Sequence, residues 1–217
     1  LWFVIGSINL LNLQKQKLKY KIKINEINEN FDKRDLKGPS LPVYNIDYHQ
    51  KKPFEKISTK SNKYILKCFD SALNFSKNKK ILGFINCPIS KEFLFKNKPQ
   101  GVTEYLAHKT GMLNKEVMLI FNKKLSVAPI TTHISLSLVS KKINQHSIIR
   151  KVKVINEFYK KNFSKKPTFA ILGLNPHNSS SVKKSEEKEI INKAVNSLLK
   201  SKIDVQGPIS PDSAFVV

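Results

Sequence analysis

The chain has 217 residues, a mass of 24.8 kDa and 40% hydrophobic side chains, enough to bury a core of one large or two small domains and too apolar for wholesale disorder. No apolar run approaches the ~20 residues that a membrane-spanning helix needs. The formal net charge of +23 would ordinarily point to nucleic acid, but only Arg34 and Arg150 are arginine and the other 37 basic side chains are lysine, scattered along the whole chain. Readers of bases and phosphates favour the planar guanidinium fork. The lysines are therefore composition drift, of the kind an A/T-rich genome produces, and neither nucleic acid nor membrane is expected as a partner. Cys68 and Cys87 form no CxxC and are expected as reduced, buried thiols of a cytoplasmic protein.

In chain order, Leu1–Ile5 is a short apolar run expected as a buried strand, followed by a mixed stretch, Ile8–Leu13, able to turn helical. From Leu18 to Ile24 apolar residues alternate with lysines, the period-2 pattern of a half-exposed strand. The polar stretch from Asn25 to Pro53, with Gly38-Pro39 and Pro42, is expected as an irregular connection. Between Thr59 and Ser76, Ile65, Leu66, Phe69 and Leu73 fall on one helical face. Ile81–Ile85 is expected as a fully buried strand that stops at Pro88.

A helix is predicted near Thr103, closed by Gly111. Val117–Phe121 and Leu125–Ile130 form a hairpin around Asn122-Lys123-Lys124. A long helix over Ile143–Tyr159, a strand Phe169–Leu172 after Pro167, and a last helix over Glu186–Leu199 complete the pattern. Glu186 and Glu187 in that last helix's first turn favour the positive helix end. Helices alternating with apolar strands make this an α/β chain, with a mixed, mostly parallel sheet flanked by helices. The missing initial Met and the stop at Phe215-Val216-Val217 suggest a domain partial at both ends. Residues 1–85 are expected as part of a first lobe and residues 86–217 as a metal- and substrate-binding lobe.

In α/β sheets ligands bind beyond the carboxyl ends of strands. Three loops are expected there: Pro88-Ile89-Ser90-Lys91, Thr131-Thr132-His133, and Gly173-Leu174-Asn175-Pro176-His177. His133 and His177 are one crossover unit apart, so neighbouring strands could bring their imidazoles onto one divalent cation, although two ligands do not complete a site. Each is equally readable as an ordinary surface or core histidine. No Gly-rich dinucleotide fingerprint is present.

Five segments occur in an order and spacing that together are specific: Cys87-Pro88-Ile89-Ser90-Lys91; Gly101-Val102-Thr103-Glu104-Tyr105-Leu106-Ala107; Thr131-Thr132-His133; Gly173-Leu174-Asn175-Pro176-His177; and Gly207-Pro208-Ile209-Ser210-Pro211-Asp212-Ser213-Ala214-Phe215. Together they resemble the 4-hydroxythreonine-4-phosphate dehydrogenase (PdxA) family of pyridoxal phosphate biosynthesis, well over Ser58–Val217 and poorly before it. The resemblance implies an isocitrate/isopropylmalate dehydrogenase-like fold and a homodimer with the active site at the subunit boundary. It implies NAD or NADP bound without a Rossmann fingerprint, and a divalent metal (Zn, Mg or Co) held by three histidines. His133 and His177 match two of these. The third belongs to a YHDQ-type block that this chain does not reach. Thr103 matches the threonine of a GHTE block that contacts the phosphorylated substrate.

The departures are as informative. Val102 stands where the family has a substrate-binding histidine, and losing one hydrogen bond to a charged partner costs about 1.5–3 kcal/mol, roughly ten- to a hundredfold in binding. Asn178-Ser179-Ser180 replaces Ala-Gly-Glu, Asn86-Cys87 replaces Thr-Gly, and the N-terminal GDPAGIGPE block is absent. The implied reaction is oxidation of 4-phosphooxy-L-threonine with decarboxylation. Asp212 would serve beside the metal or simply as a turn residue after Pro211. Lys91 would approach the substrate's anionic groups or remain solvated. Thr103 would bind phosphate, cap a helix, or do both. A dehydrogenase for another phosphorylated hydroxy acid, and a non-catalytic basic remnant of the fold, are the competing readings. The 217-residue chain alone is expected to have little or no dehydrogenase activity.

Overall fold

In the computed structural model, which describes residues 1–95, 101–113, 115–132, 134–179 and 185–215, the apolar start of the chain becomes strand β1 (Val4–Gly6). Leu1 and Trp2 lie outside it and are exposed, not buried. Helix α1 (Ile8–Lys17) follows directly, and Ser7 caps it. The Ser7 hydroxyl accepts the Leu10 N–H (3.2 Å) and donates to the Tyr48 carbonyl (2.8 Å). Two more amides at this turn are taken by side chains: Ser7 N–H donates to the Tyr64 hydroxyl and Ile8 N–H to Asn45 Oδ1, both at 3.0 Å. Burial pushes the Tyr64 hydroxyl up to about 12, and the neighbouring Cys68 thiol up to about 11. Cys87, by contrast, is exposed.

The alternating stretch from Leu18 to Ile24 is not a strand. Leu18 closes α1, Lys19 takes a left-handed conformation (φ 57°), and Leu18, Tyr20 and Ile22 are exposed. Pairing begins only at Ile24, where β2 (Ile24–Ile27) runs parallel to β3 (Leu41–Asn45) in the register Ile24↔Leu41. β3 pairs on its other side with β1, from Val4↔Val43, so the order is β1-β3-β2. The region read as irregular thus supplies the central strand. Pro42 is tolerated there for a geometric reason. Strand N–H groups point alternately to either side, and Leu41 N–H points to Lys23 of the β2 side (2.7 Å). The position lacking an N–H therefore faces the β1 side, where pairing starts one residue later, at Val43.

Helix α2 (Asn62–Lys77), entered through a short 3-10 turn, forms as predicted but buries Phe69, Ala72 and Phe75, while Ile65, Leu66 and Leu73 of the expected face are only half-buried. The Phe75 ring lies edge-on to Phe3, Phe31 and Tyr44, with centroids 5.0–5.7 Å apart. Together with the fully buried Val43 these rings form the core of a first compact unit, Leu1–Val102. Ile81–Ile85 is not a strand: it makes no ladder among the described residues, and Leu82 and Ile85 are fully exposed. An apolar run becomes a strand only when a neighbour supplies hydrogen bonds, and here none does. A short helix α3 (Lys91–Phe95) follows.

The second unit, Thr103–Val217, takes nearly all of helix α4 (Val102–Lys109), which ends with Gly111 left-handed (φ 68°) and Met112 N–H returning to the Ala107 carbonyl (2.8 Å). The predicted hairpin is reduced to one antiparallel bridge, Ile120↔Val127, around a turn in which Asn122 Oδ1 accepts the Lys124 N–H. The short helix α5 (Val139–Lys142) precedes α6 (Gln145–Phe163), capped by Asn144, whose side chain accepts the Ser147 N–H (2.9 Å). Strand β4 (Phe169–Leu172) lies where predicted and pairs in parallel with β5 (Val205–Ile209). β5 contains Gly207 and Pro208, residues that argue against a strand. They sit at an irregularity of the ladder between Ala170 and Leu172. Gly207 is at φ +142°, and a Cβ there would lie 2.5 Å from the Ile171 carbonyl oxygen.

Between β4 and β5 runs α7 (Asn192–Lys200), preceded by a π-helical turn, Glu187–Ile191. Ile191, Ala194, Val195 and Leu198 pack with Ile148 and Val152 of α6 and with Ile203 and Val205 into one core. Among the described residues all strand pairs are parallel apart from the isolated bridge. This is the α/β class the sequence predicts. Among the described residues, no helix is long and apolar enough to cross a membrane.

Candidate active site

Because β4 and β5 are parallel neighbours, the loops leaving their carboxyl ends start from the same rim. The Gly173 N–H still bonds the Ile209 carbonyl (2.8 Å), carrying the ladder one residue past β4. The chain then turns through a 3-10 segment, Pro176–Ser179, with His177 left-handed at φ 55°. From the other loop Asp212 meets it, with Oδ2 3.1 Å from His177 Nδ1. The second carboxylate oxygen of Asp212 accepts the Ser210 hydroxyl at 2.8 Å. That hydroxyl holds the Asp212 carboxyl below its ordinary value against an opposing desolvation, with the imidazole and nearby backbone N–H groups adding to the effect.

The chemistry of this pair is specific. A carboxylate on Nδ1 selects the tautomer protonated there and leaves the Nε2 lone pair free to coordinate. The His177 side chain is 81% exposed, so that nitrogen is accessible. The described donors therefore fit a divalent cation as one oriented imidazole with its supporting carboxylate. A complete site needs at least two more ligands. Among the described residues no group of three His, Cys, Asp or Glu converges. His133, the other expected ligand, lies outside the described residues.

Of the remaining expected site residues, Val102 is the first residue of α4 and Thr103 the second, exposed on its first turn. Thr103 is thus inside the helix and not its cap. Lys91 is the exposed first residue of α3, in the first unit. Of the three loops expected at strand ends, only Gly173–His177 follows a described strand.

The sequence pattern alone does not single out Glu187, which belongs to the support of this site. Its side chain accepts its own N–H at the helix start, as the sequence suggests, and does more than that. It is buried (1% exposed) beneath the histidine loop, and Oε1 accepts the N–H groups of Leu174 (2.9 Å) and Asn175 (2.8 Å). The Asn175 amide adds bonds to both Glu187 oxygens and to Glu186. Burial opposes the charge, but hydrogen bonds from the Asn175 backbone and side chain, from its own N–H and from the Ser185 hydroxyl outweigh it and hold the Glu187 carboxyl below its ordinary value. The legible signal was spacing: Glu187, Ile191, Ala194, Val195 and Leu198 recur at i, i+4, i+7, i+8 and i+11. That places a charge on the buried stripe of a helix, where it requires partners. A second anchor, Lys151, donates from α6 to the Pro129 carbonyl (3.0 Å), just ahead of Thr131-Thr132. Burial lowers its pKa, with Arg150 adding to the effect and Glu116 opposing it.

Comparison with known proteins agrees with this architecture. The chain is 34% identical to the 4-hydroxythreonine-4-phosphate dehydrogenase of Sulfurihydrogenibium sp. (strain YO3AOP1), over 99% of its own length and 66% of that relative's. It is 33% identical to the same-named protein of Aquifex aeolicus (strain VF5), over 80% of this chain and 55% of the relative. The chain thus spans just under two thirds, or less, of the relatives it matches. A crystal structure of 4-hydroxythreonine-4-phosphate dehydrogenase from Klebsiella pneumoniae superimposes with a TM-score of 0.83 at 24% identity, covering 98% of this chain and 67% of that one, which establishes the shared fold. The family model described as "Pyridoxal phosphate biosynthetic protein PdxA" matches residues 2–217, and the chain belongs to that family.

Proposed function

We propose that this chain is the metal- and substrate-binding part of a dehydrogenase that oxidises 4-phosphooxy-L-threonine with NAD or NADP, with loss of carbon dioxide. The observation that carries the reading is the His177–Asp212 pair, set on the adjacent ends of β4 and β5. The relatives' name, 4-hydroxythreonine-4-phosphate dehydrogenase, supports the choice of substrate, and its word dehydrogenase supports a nicotinamide as hydride acceptor. His177 and His133 would hold the divalent ion, completed by a third ligand. The ion, when bound, lowers the pKa of a substrate hydroxyl so that hydride can leave for the nicotinamide.

This chain's own residues prepare that step. Asp212 keeps His177 in the tautomer whose Nε2 can coordinate, and Ser210 keeps Asp212 ionised and aimed. Thr103, on the first turn of α4, offers a hydroxyl to the substrate phosphate where helix amides also point. Val102 offers no hydrogen bond, an observation that favours a second reading within the same chemistry, a differently substituted phosphorylated hydroxy acid. A homodimer and a cytoplasmic location belong to the same proposal.

The test is Co²⁺ binding and NAD(P)H formation by the intact protein and its variants. His177→Ala should abolish stoichiometric Co²⁺ binding and turnover. Asp212→Asn should weaken binding tenfold or more. Unchanged metal content and turnover in His177→Ala would overturn the assignment.

A further inference from the structure

We infer that Glu187 is a positioning residue: its buried carboxylate fastens the Gly173–His177 loop and so sets where the His177 imidazole stands. The inference rests on the reading of His177 as a metal ligand and assigns a role to a residue outside that ligand set. His177 keeps a left-handed backbone (φ 55°), a conformation most non-glycine residues avoid unless their surroundings enforce it. Three residues upstream of it, the loop's amides converge on a single oxygen. Leu174 N–H and Asn175 N–H both end on Glu187 Oε1, at 2.9 and 2.8 Å. The Asn175 side chain closes the other side, 3.1 and 3.3 Å from the two oxygens of Glu187.

Glu187 is itself enclosed. It is 1% exposed and begins a π-helical turn, a geometry frequent at functional sites, whose next inward residue, Ile191, is buried in the core. Nothing about core packing calls for a carboxylate here. An ionised group that deep is expensive unless its hydrogen bonds need it, and all those given to it serve the loop or its own helix start. The result is a rigid link from the α6–α7 core to the imidazole, with Asp212 fixing the ring from the opposite loop.

The test compares Glu187→Gln, Glu187→Leu and His177→Ala in the intact protein, by three measurements: thermal melting, hydrogen exchange of the Leu174 and Asn175 amides, and Co²⁺ titration followed by its visible spectrum. Gln keeps an oxygen for the two backbone amides but turns an NH2 toward the Asn175 amide. It should retain most amide protection and lower Co²⁺ affinity a few-fold. Leu removes the acceptor, so both amides should lose protection and Co²⁺ affinity should fall ten- to a hundredfold, the range typical of residues that orient ligands. Should Glu187→Leu prove unfolded, the graded loss in Glu187→Gln decides. Co²⁺ binding that is unaffected by either Glu187 variant but lost in His177→Ala refutes the positioning role and leaves the metal assignment standing. Binding unaffected in all three refutes both.

Discussion

Adding one carbon at Gly207 tests the feature that brings the two site loops together. At φ +142° any side chain is strained, a cost of about 1–3 kcal/mol. The new Cβ would also lie 2.5 Å from the Ile171 carbonyl oxygen and 3.1 Å from the Ile171 Cβ, so β4 and β5 must separate, adding about 1–3 kcal/mol for forced displacement. Gly207→Ala is therefore expected to cost roughly 2–6 kcal/mol of the ~5–15 kcal/mol that a domain typically has. With a urea m-value of about 2 kcal/mol/M, the midpoint falls by roughly 1–3 M. Two controls separate strain from overlap. Gly111 is also left-handed (φ +68°) but meets nothing within 4 Å, so Gly111→Ala should cost only about 1–2 kcal/mol. Gly83 has open space and no positive φ, and Gly83→Ala should be close to neutral. Urea melts followed by circular dichroism read all three. If Gly207→Ala cost no more than Gly111→Ala, the close approach of β5 to Ile171 would not be what excludes a side chain, and the reasoning would fail.

Other outcomes follow from the same structure. Leu198, fully buried in the α6–α7 core, should lose about 2–5 kcal/mol on truncation to Ala, measured by the same melts. The Glu187 carboxyl titrates lower when folded than when unfolded, so its contribution is complete above the unfolded pKa of about 4.3 and is lost as pH falls through the lower folded value. Glu187→Gln should therefore flatten the acid limb of the stability–pH curve below that point, and an unchanged limb would contradict the assignment. Cys87, exposed, should react with a thiol reagent at pH 8 far faster than Cys68, whose thiol burial pushes up to about 11. Equal labelling by mass spectrometry would contradict that.

What could be predicted from the chain, and what could not, divides along one physical line. Helices α2, α6 and α7 and strand β4 carry their own signal, because residues that define the period also fill the core: Phe69, Ile148 and Val152, Ala194 and Leu198. Strands β3 and β5 do not. Each is held by its neighbours' hydrogen bonds, and each contains a proline that local propensity counts against it. The opposite error has the same origin. Leu18–Lys23 and Ile81–Ile85 have the composition of strands but join no ladder among the described residues, and Leu18, Tyr20, Ile22, Leu82 and Ile85 are exposed. At the site, the motif residues His177 and Asp212 were legible as chemistry, and the structure brings their side chains together. Glu187 was hidden by its location: a carboxylate in a helix's first turn has an ordinary explanation, and only the fold shows its side chain turned beneath a loop.

The occupied amides at the start of α1 carry a consequence for nucleotide binding. In many α/β proteins the first strand-to-helix turn leaves several N–H donors open, and a phosphate settles on them. Here Tyr64, Asn45 and Ser7 already take the N–H groups of Ser7, Ile8 and Leu10, with the Leu11 N–H closing on the Ser7 carbonyl. A pyrophosphate docking at this turn as it does in those proteins would first have to evict the protein's own side chains.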